Sequence, residues 1–146
     1  NAAGAPVVHL DGAPLPLAVS ISHSHGAAFC ALTPDANLCI GVDIERITNR
    51  DESFLLDFFT EAERSQVAST AAIDRALLAT AIWGGREAYY KALGTGLPLL
   101  QGAVAVQPVT LPTSEWSPFT LQSTGDGVWE GSWRVWGEYV MAVVTG

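Results

Sequence analysis

The chain has 146 residues, 49% of them apolar and 15% charged, which fits one domain with a substantial core and excludes a disordered acidic tail. The 15 acids against 7 bases leave a net charge of −8, and no basic stripe exists to neutralise nucleic-acid phosphates. No apolar run approaches the roughly 18 residues of a membrane span, and no basic region precedes an apolar stretch at the N-terminus, so a soluble, cytoplasmic domain is expected.

Residues 1–16 are rich in Ala, Gly and Pro and read as a lead-in or linker, leaving 17–146 as a single domain. Asn1-Ala2-Ala3, with no initiator Met, reads as an excised or processed chain. Strand-like runs at 17–22 and 27–32 are separated by His23-Ser24-His25-Gly26, read as a tight polar connection. Cys30 and Cys39 flank a turn-like Thr33-Pro34-Asp35-Ala36-Asn37 and, without a secretory signal, are expected as small buried thiols. A third strand at 39–45 alternates: Ile40, Val42 and Ile44 share one face, expected to anchor it in the core, and Gly41, Asp43 and Glu45 share the other.

From Asp51 the period changes from two to 3.6. Phe54, Leu55, Phe58 and Phe59 fit a short amphipathic helix. Thr60, with Glu63 three residues on, is a capping box that opens a second. A long helix is expected from Asp74 to about Leu93, closed by Gly94 at its C-cap. Strand candidates return at 102–107, 119–123, 129–136 and 139–144, with turns at 125–127 and at Gly137-Glu138. Strands, then helices, then strands indicate an α+β domain with a mostly antiparallel sheet.

Three groups carry candidate chemistry. Asp43 and Glu45, at i and i+2 on a strand, project two carboxylates side by side, suited to one hard cation or to solvent. Glu87 and Lys91 stand at i and i+4 on the long helix, where an ordinary salt bridge is the plain alternative. Gly84-Gly85 costs that helix roughly 1 kcal/mol per glycine relative to alanine, so a close approach is expected there. His23, between Ser22 and Ser24, is either a surface group or part of a small anion cradle.

In order, Ser20-Ile21-Ser22-His23-Ser24, Ile40-Gly41-Val42-Asp43-Ile44-Glu45, Phe58-Phe59-Thr60-Glu61-Ala62-Glu63 and Trp83-Gly84-Gly85-Arg86-Glu87-Ala88-Tyr89-Tyr90-Lys91 resemble the motifs of the 4′-phosphopantetheinyl transferases. The larger, surfactin-synthetase type is the nearer match, and Ala92-Leu93-Gly94-Thr95-Gly96-Leu97 resembles the small holo-acyl-carrier-protein synthase type. The resemblance covers about residues 17–97. It implies that family's fold, an antiparallel sheet packed against helices in β-β-β-α-α-α-β-β order. It also implies transfer of the phosphopantetheine arm of coenzyme A to a serine of an apo acyl or peptidyl carrier protein, releasing 3′,5′-ADP.

By the same resemblance Asp43, Glu45 and Glu87 would hold Mg²⁺, and Glu87 would accept the serine proton. Arg86 and Lys91 would neutralise phosphate oxygens, and Ser22 and His23 would anchor the nucleotide phosphates. Arg86 stands where the family usually has Lys, and Gly84-Gly85 replaces its small hydroxyl residue and neighbour. The larger type has a preceding half that supplies further bases. Completion of the site by a second copy, a trimer ahead of a dimer, or by an upstream half is therefore expected, within a polyketide-synthase-like megasynthase whose carrier domain is in cis. Trp129 and Trp133, on one strand face, are expected to serve either subunit contact or core. The alternatives are a non-catalytic carrier-docking or scaffold relative and another Mg²⁺-dependent phosphotransferase.

Overall fold

The computed structural model describes residues 6–95, 103–108 and 110–146. Two short strands, β1 (His9–Leu10) and β2 (Ala13–Pro14), form a hairpin within the segment read as a linker. Its turn, Asp11-Gly12, has positive φ at both residues, the backbone that a two-residue hairpin turn needs. β3 (Ala18–Ser24) and β4 (Ala27–Thr33) form a second antiparallel hairpin. Only His25 and Gly26, both at positive φ, make its turn, so His23 and Ser24 belong to the strand.

β5 (Ile40–Arg46) leads into the helices α1 (Glu52–Phe58), α2 (Glu61–Ser69) and α3 (Arg75–Leu93). Asp51 caps α1 by accepting from the Phe54 amide. Thr60 and Glu63 close the expected capping box on α2, and Gly94, at φ 66°, ends α3 in the left-handed region that glycine tolerates.

Four strands then follow, β6 (Val104–Pro108), β7 (Ser117–Ser123), β8 (Gly127–Trp136) and β9 (Tyr139–Thr145), at the four sequence candidates, where the order implied by the resemblance carried two. With β5 they form a five-stranded sheet in the order β5-β9-β8-β7-β6, every neighbour antiparallel. Gly96 and Leu97, the end of the Ala92–Leu97 motif, and the Gly102 strand start lie outside the described residues.

α3 crosses the sheet over β5 and β9, and the core sits between them. Trp133 and Phe119 are fully buried and stack at 4.5 Å, a geometry worth about 1 kcal/mol beyond burial. Trp129 packs edge-on to Tyr89 of α3 at 5.2 Å. Trp129 and Trp133 therefore serve the core rather than a subunit contact. Cys30 and Cys39 are exposed free thiols, not the expected buried ones, because Cys30 falls on the outer face of β4.

Val42 and Ile44 sit in the core as expected, 0 and 1% exposed, and the opposite face of β5 is covered as well. The face carrying Gly41, Asp43 and Glu45 meets α3, whereas Ile44 looks away, into a pocket with Ala28, Trp116 and Met141. Gly41 explains the arrangement. A Cβ there would collide with the backbone of Ala88 and Ala92 on α3, so only glycine lets strand and helix backbones touch.

Candidate active site

Where β5 and α3 touch, the strand directs Asp43 toward Lys91 of the helix. Asp43 is 2% exposed. Its Oδ1 accepts from Lys91 Nζ at 2.7 Å and from Ser22 Oγ at 2.7 Å, and Lys91 Nζ also donates to Ser22 Oγ at 2.9 Å. Three motifs far apart in the chain thus close one triangle. Its other oxygen, Oδ2, is buried without a partner. A Cβ at Gly84 would stand 3.3 Å from that oxygen, and one at Gly85 would stand 3.0 Å from the Phe119 ring. The two mid-helix glycines are accounted for: one leaves space for the carboxylate and the other for the core.

Lys91 is therefore paired across elements with Asp43, not along the helix with Glu87 as the simplest reading of their spacing has it. Glu45 is held by Arg50, at 3.2 Å, and Arg50 also lies over the Phe54 ring at 4.9 Å. Burial pushes the Asp43 carboxyl above the usual carboxylate range, against the pull of Lys91 and Ser22. Burial and the neighbouring Asp43 raise Glu45, with Arg50 opposing. Burial, with Asp43 and then Glu45 adding, pushes Glu87 up to about 7, while Lys91 and Arg86 pull the other way. Each carboxylate thus feels the others.

No group of three or more His, Cys, Asp or Glu among the described residues is drawn into a ready-made metal cage. The donors nevertheless fit a hard divalent cation. All three are carboxylates that repel one another, and one buried oxygen is unpartnered.

Two expected phosphate ligands are placed elsewhere. Arg86 is buried, and its Nη2 donates to both Glu63 oxygens, at 2.7 and 2.6 Å, while Nη1 donates to the Phe58 carbonyl. Glu63 also accepts from the amides of Val106 and Thr60, both at 2.8 Å. The planar guanidinium bridges two elements as an ammonium could not, which gives Arg at this position a structural reason. Arg86 therefore does not reach the Asp43 site.

His23 lies on the exposed face of β3, opposite buried Ser22. The two cannot form one anion cradle, because successive strand residues point to opposite faces. The structure joins Ser22, Asp43 and Lys91, which the sequence reading places in three separate groups, and adds the Arg50 partner of Glu45 and the Glu63 partner of Arg86.

An open groove of about 360 Å³ runs from Lys91 past Gly94, between Leu17, Val19 and Ile40. Among the described residues no helix is long and apolar enough to cross a membrane.

An α+β fold whose strand carboxylates meet a helix Glu and Lys in this way matches a known class. Residues 39–144 match the 4′-phosphopantetheinyl transferase superfamily, and the chain belongs to it. It is 33% identical over 97 residues to the 4′-phosphopantetheinyl transferase gsp of Aneurinibacillus migulanus, covering 66% of this chain and 38% of that protein. The chain thus spans well under half the length of that relative. Its fold is similar to the crystal structure of Thermotoga maritima holo-acyl-carrier-protein synthase, with a TM-score of 0.56 and 20% identity, covering 73% of this chain and 61% of that one.

Proposed function

We propose that this domain performs Mg²⁺-dependent transfer of the 4′-phosphopantetheine arm of coenzyme A to a serine of an apo acyl or peptidyl carrier protein, with 3′,5′-ADP as the other product. The observation that supports this reading best is the meeting of Ser22, Asp43 and Lys91, from three distant motifs, in one hydrogen-bonded triangle on the helix that also carries Glu87. Glu87, raised by burial and by Asp43, is the group to take the serine proton.

The serine oxygen forms a bond to the phosphorus that carries the pantetheine arm, and the bond from that phosphorus to the ADP oxygen breaks. The serine proton passes to Glu87. Lys91 sets its ammonium against oxygens of the diphosphate, and Ser22 holds Asp43 in place by its hydrogen bond. Asp43, Glu45 and Glu87 would hold Mg²⁺, which would supply charge neutralisation for the transferring phosphoryl group and the departing ADP. The groove beside Lys91 offers space for an extended arm.

Each of the seven basic side chains has an intramolecular partner. Arg46 pairs with Glu138, Arg50 with Glu45, Arg86 with Glu63 and Lys91 with Asp43. Arg64 and Arg75 donate to carbonyls, and Arg134 lies over Trp116. Further bases for the coenzyme phosphates would come from a second copy, a trimer ahead of a dimer, or from an upstream segment. The net charge of −8 favours a carrier domain tethered in cis, since repulsion slows a diffusing acidic partner.

Mass spectrometry of an apo carrier protein incubated with this chain, coenzyme A and Mg²⁺ tests the reading. Gain of one phosphopantetheine arm is expected, and an unmodified carrier under conditions where a known transferase modifies it would refute it. The pairing of Arg46, Arg50, Arg86 and Lys91 with carboxylates also favours a second reading, a non-catalytic carrier-docking relative. Such a protein binds neither coenzyme A nor Mg²⁺ in calorimetry. Another Mg²⁺-dependent phosphotransferase would turn over without any carrier.

A further inference from the structure

Both strand carboxylates of the site already hold a cation belonging to the chain itself: Lys91 on Asp43 and Arg50 on Glu45. The Lys91–Asp43 pair is asymmetric, whereas in the other pair Arg50 is 18% exposed and Glu45 26%. The Asp43 side chain is 3% exposed and its Lys91 partner 31%, so the anion is fixed in the wall and the cation sits at the mouth. Arg50 is anchored over the Phe54 ring independently of Glu45, and losing Glu45 would not release it from the site. The Arg86–Glu63 pair shows the opposite design. Its side chains are 6% and 2% exposed, and two backbone amides complete the Glu63 oxygens. That pair is closed to exchange, whereas Asp43 keeps a buried oxygen without a partner.

We propose that Lys91 and Arg50 are exchangeable counter-cations. A divalent ion entering at Asp43 and Glu45 takes their places, and the released ammonium and guanidinium become the groups that bind the diphosphate. This rests on the reading of Asp43, Glu45 and Glu87 as metal ligands and adds Arg50 to the anion-binding set. The physics favours the exchange. A doubly charged ion among mutually repelling carboxylates gains more Coulomb energy than a single ammonium there, and the four-carbon stem of lysine lets its head swing without backbone movement.

Ser22 stays behind. Its hydroxyl donates to Asp43 in the paired state, at 2.7 Å, and continues to orient that carboxylate once Lys91 has left. Metal and polyanion binding are then thermodynamically linked, each raising the affinity of the other by one common factor. An anion arriving first finds its cations occupied, and a metal arriving first meets competition from Lys91 and Arg50.

Lys91 is the only lysine in the sequence, so ¹⁵N-lysine labelling gives one side-chain ammonium signal from the native protein. Titration of that protein with Mg²⁺, with binding followed in parallel by calorimetry, is expected to shift the signal from a hydrogen-bonded to a solvent-exchanging position. Addition of 3′,5′-ADP is expected to shift it again. Mn²⁺ titrations read by electron paramagnetic resonance give the second arm. Lys91→Met is expected to bind Mn²⁺ without nucleotide about tenfold more tightly than the wild type and to lose most of the mutual enhancement between Mn²⁺ and 3′,5′-ADP. Arg50→Met is expected to change both in the same direction by a smaller factor.

Mg²⁺ binding with an unmoved Lys91 signal would overturn the exchange and leave the metal reading standing, as would equal or weaker Mn²⁺ affinity in folded Lys91→Met. Absence of any metal binding in the wild type would overturn both.

Discussion

Glu87→Gln separates the activity of the site from its stability. Glu87 is half-buried, and its carboxyl is raised from 4.5 to about 7, burial being the first cause and Asp43 the second. The folded chain therefore binds this proton more tightly than the unfolded chain. The stabilisation is complete below pH 4.5 and is lost as pH rises through about 7. At about 1.4 kcal/mol per tenfold in proton affinity, that gap sets an upper bound of about 3 kcal/mol. Screening at a partly exposed site reduces it to about 1–2 kcal/mol.

Glutamine is isosteric with the neutral acid. It should leave the metal-free melting temperature unchanged at pH 5 and raise it at pH 8 by about 3–8 °C. The same variant should lose carrier modification by on the order of 10²–10⁴-fold. Circular-dichroism melts at the two pH values, with carrier mass spectrometry on the same samples, measure both effects. A stability difference that is the same at pH 5 and pH 8, or a less stable Gln variant at pH 8, would refute the reasoning.

Carboxyl-carbon NMR of metal-free protein should show Glu87 titrating near 7, and added Mg²⁺ should move the midpoint down; a midpoint near the ordinary 4.5 contradicts the site electrostatics. Asp43→Asn removes the anion that Lys91 and Ser22 share and should abolish Mn²⁺ binding while the far-ultraviolet spectrum stays native. Gly41→Ala sets a methyl group against the Ala88 carbonyl and should cost about 3 kcal/mol in urea unfolding, since helix backbone cannot step aside. Glu63→Gln leaves the buried Arg86 half-matched and should cost about 3–5 kcal/mol, whereas a Glu63→Met, Arg86→Met double variant should recover much of that loss.

Local signals carried most of the fold. The capping box at Thr60 and the Gly94 C-cap place helix ends correctly because each acts within one turn of chain. Alternation in β5 gave the right period and rightly put Val42 and Ile44 in the core, but not the helix against Gly41 and Asp43. Val42 and Asp43 are both buried, and when both faces are covered the pattern does not say which cover is the helix. The Asp11-Gly12 turn was present in the sequence, but two-residue strands offer no alternation to frame it.

At the site, Asp43 and Lys91 stood out by their spacing from Glu45 and Glu87, whereas Ser22 entered only through the family resemblance. The fate of Arg86 was not legible. Its partner Glu63 lies on another helix, 23 residues away, and sequence had already given that carboxylate a complete role in the capping box. Arg50 was hidden for a similar reason, since a lone basic residue before a helix reads as solvated surface.

Direct backbone contact at Gly41 also bears on how the domain can vary. No side chain lies between β5 and α3 at that point, so the spacing of the two backbones that carry Asp43 and Lys91 is set by main-chain contact. Where side chains separate two elements, each change of volume shifts the elements and is felt as strain elsewhere. Here, substitutions among the rings and branched chains farther along the sheet can be absorbed without moving the backbone spacing at Gly41. The cost of that tolerance falls on one position with no freedom at all, and the sequence around it can drift while the two backbones keep their spacing.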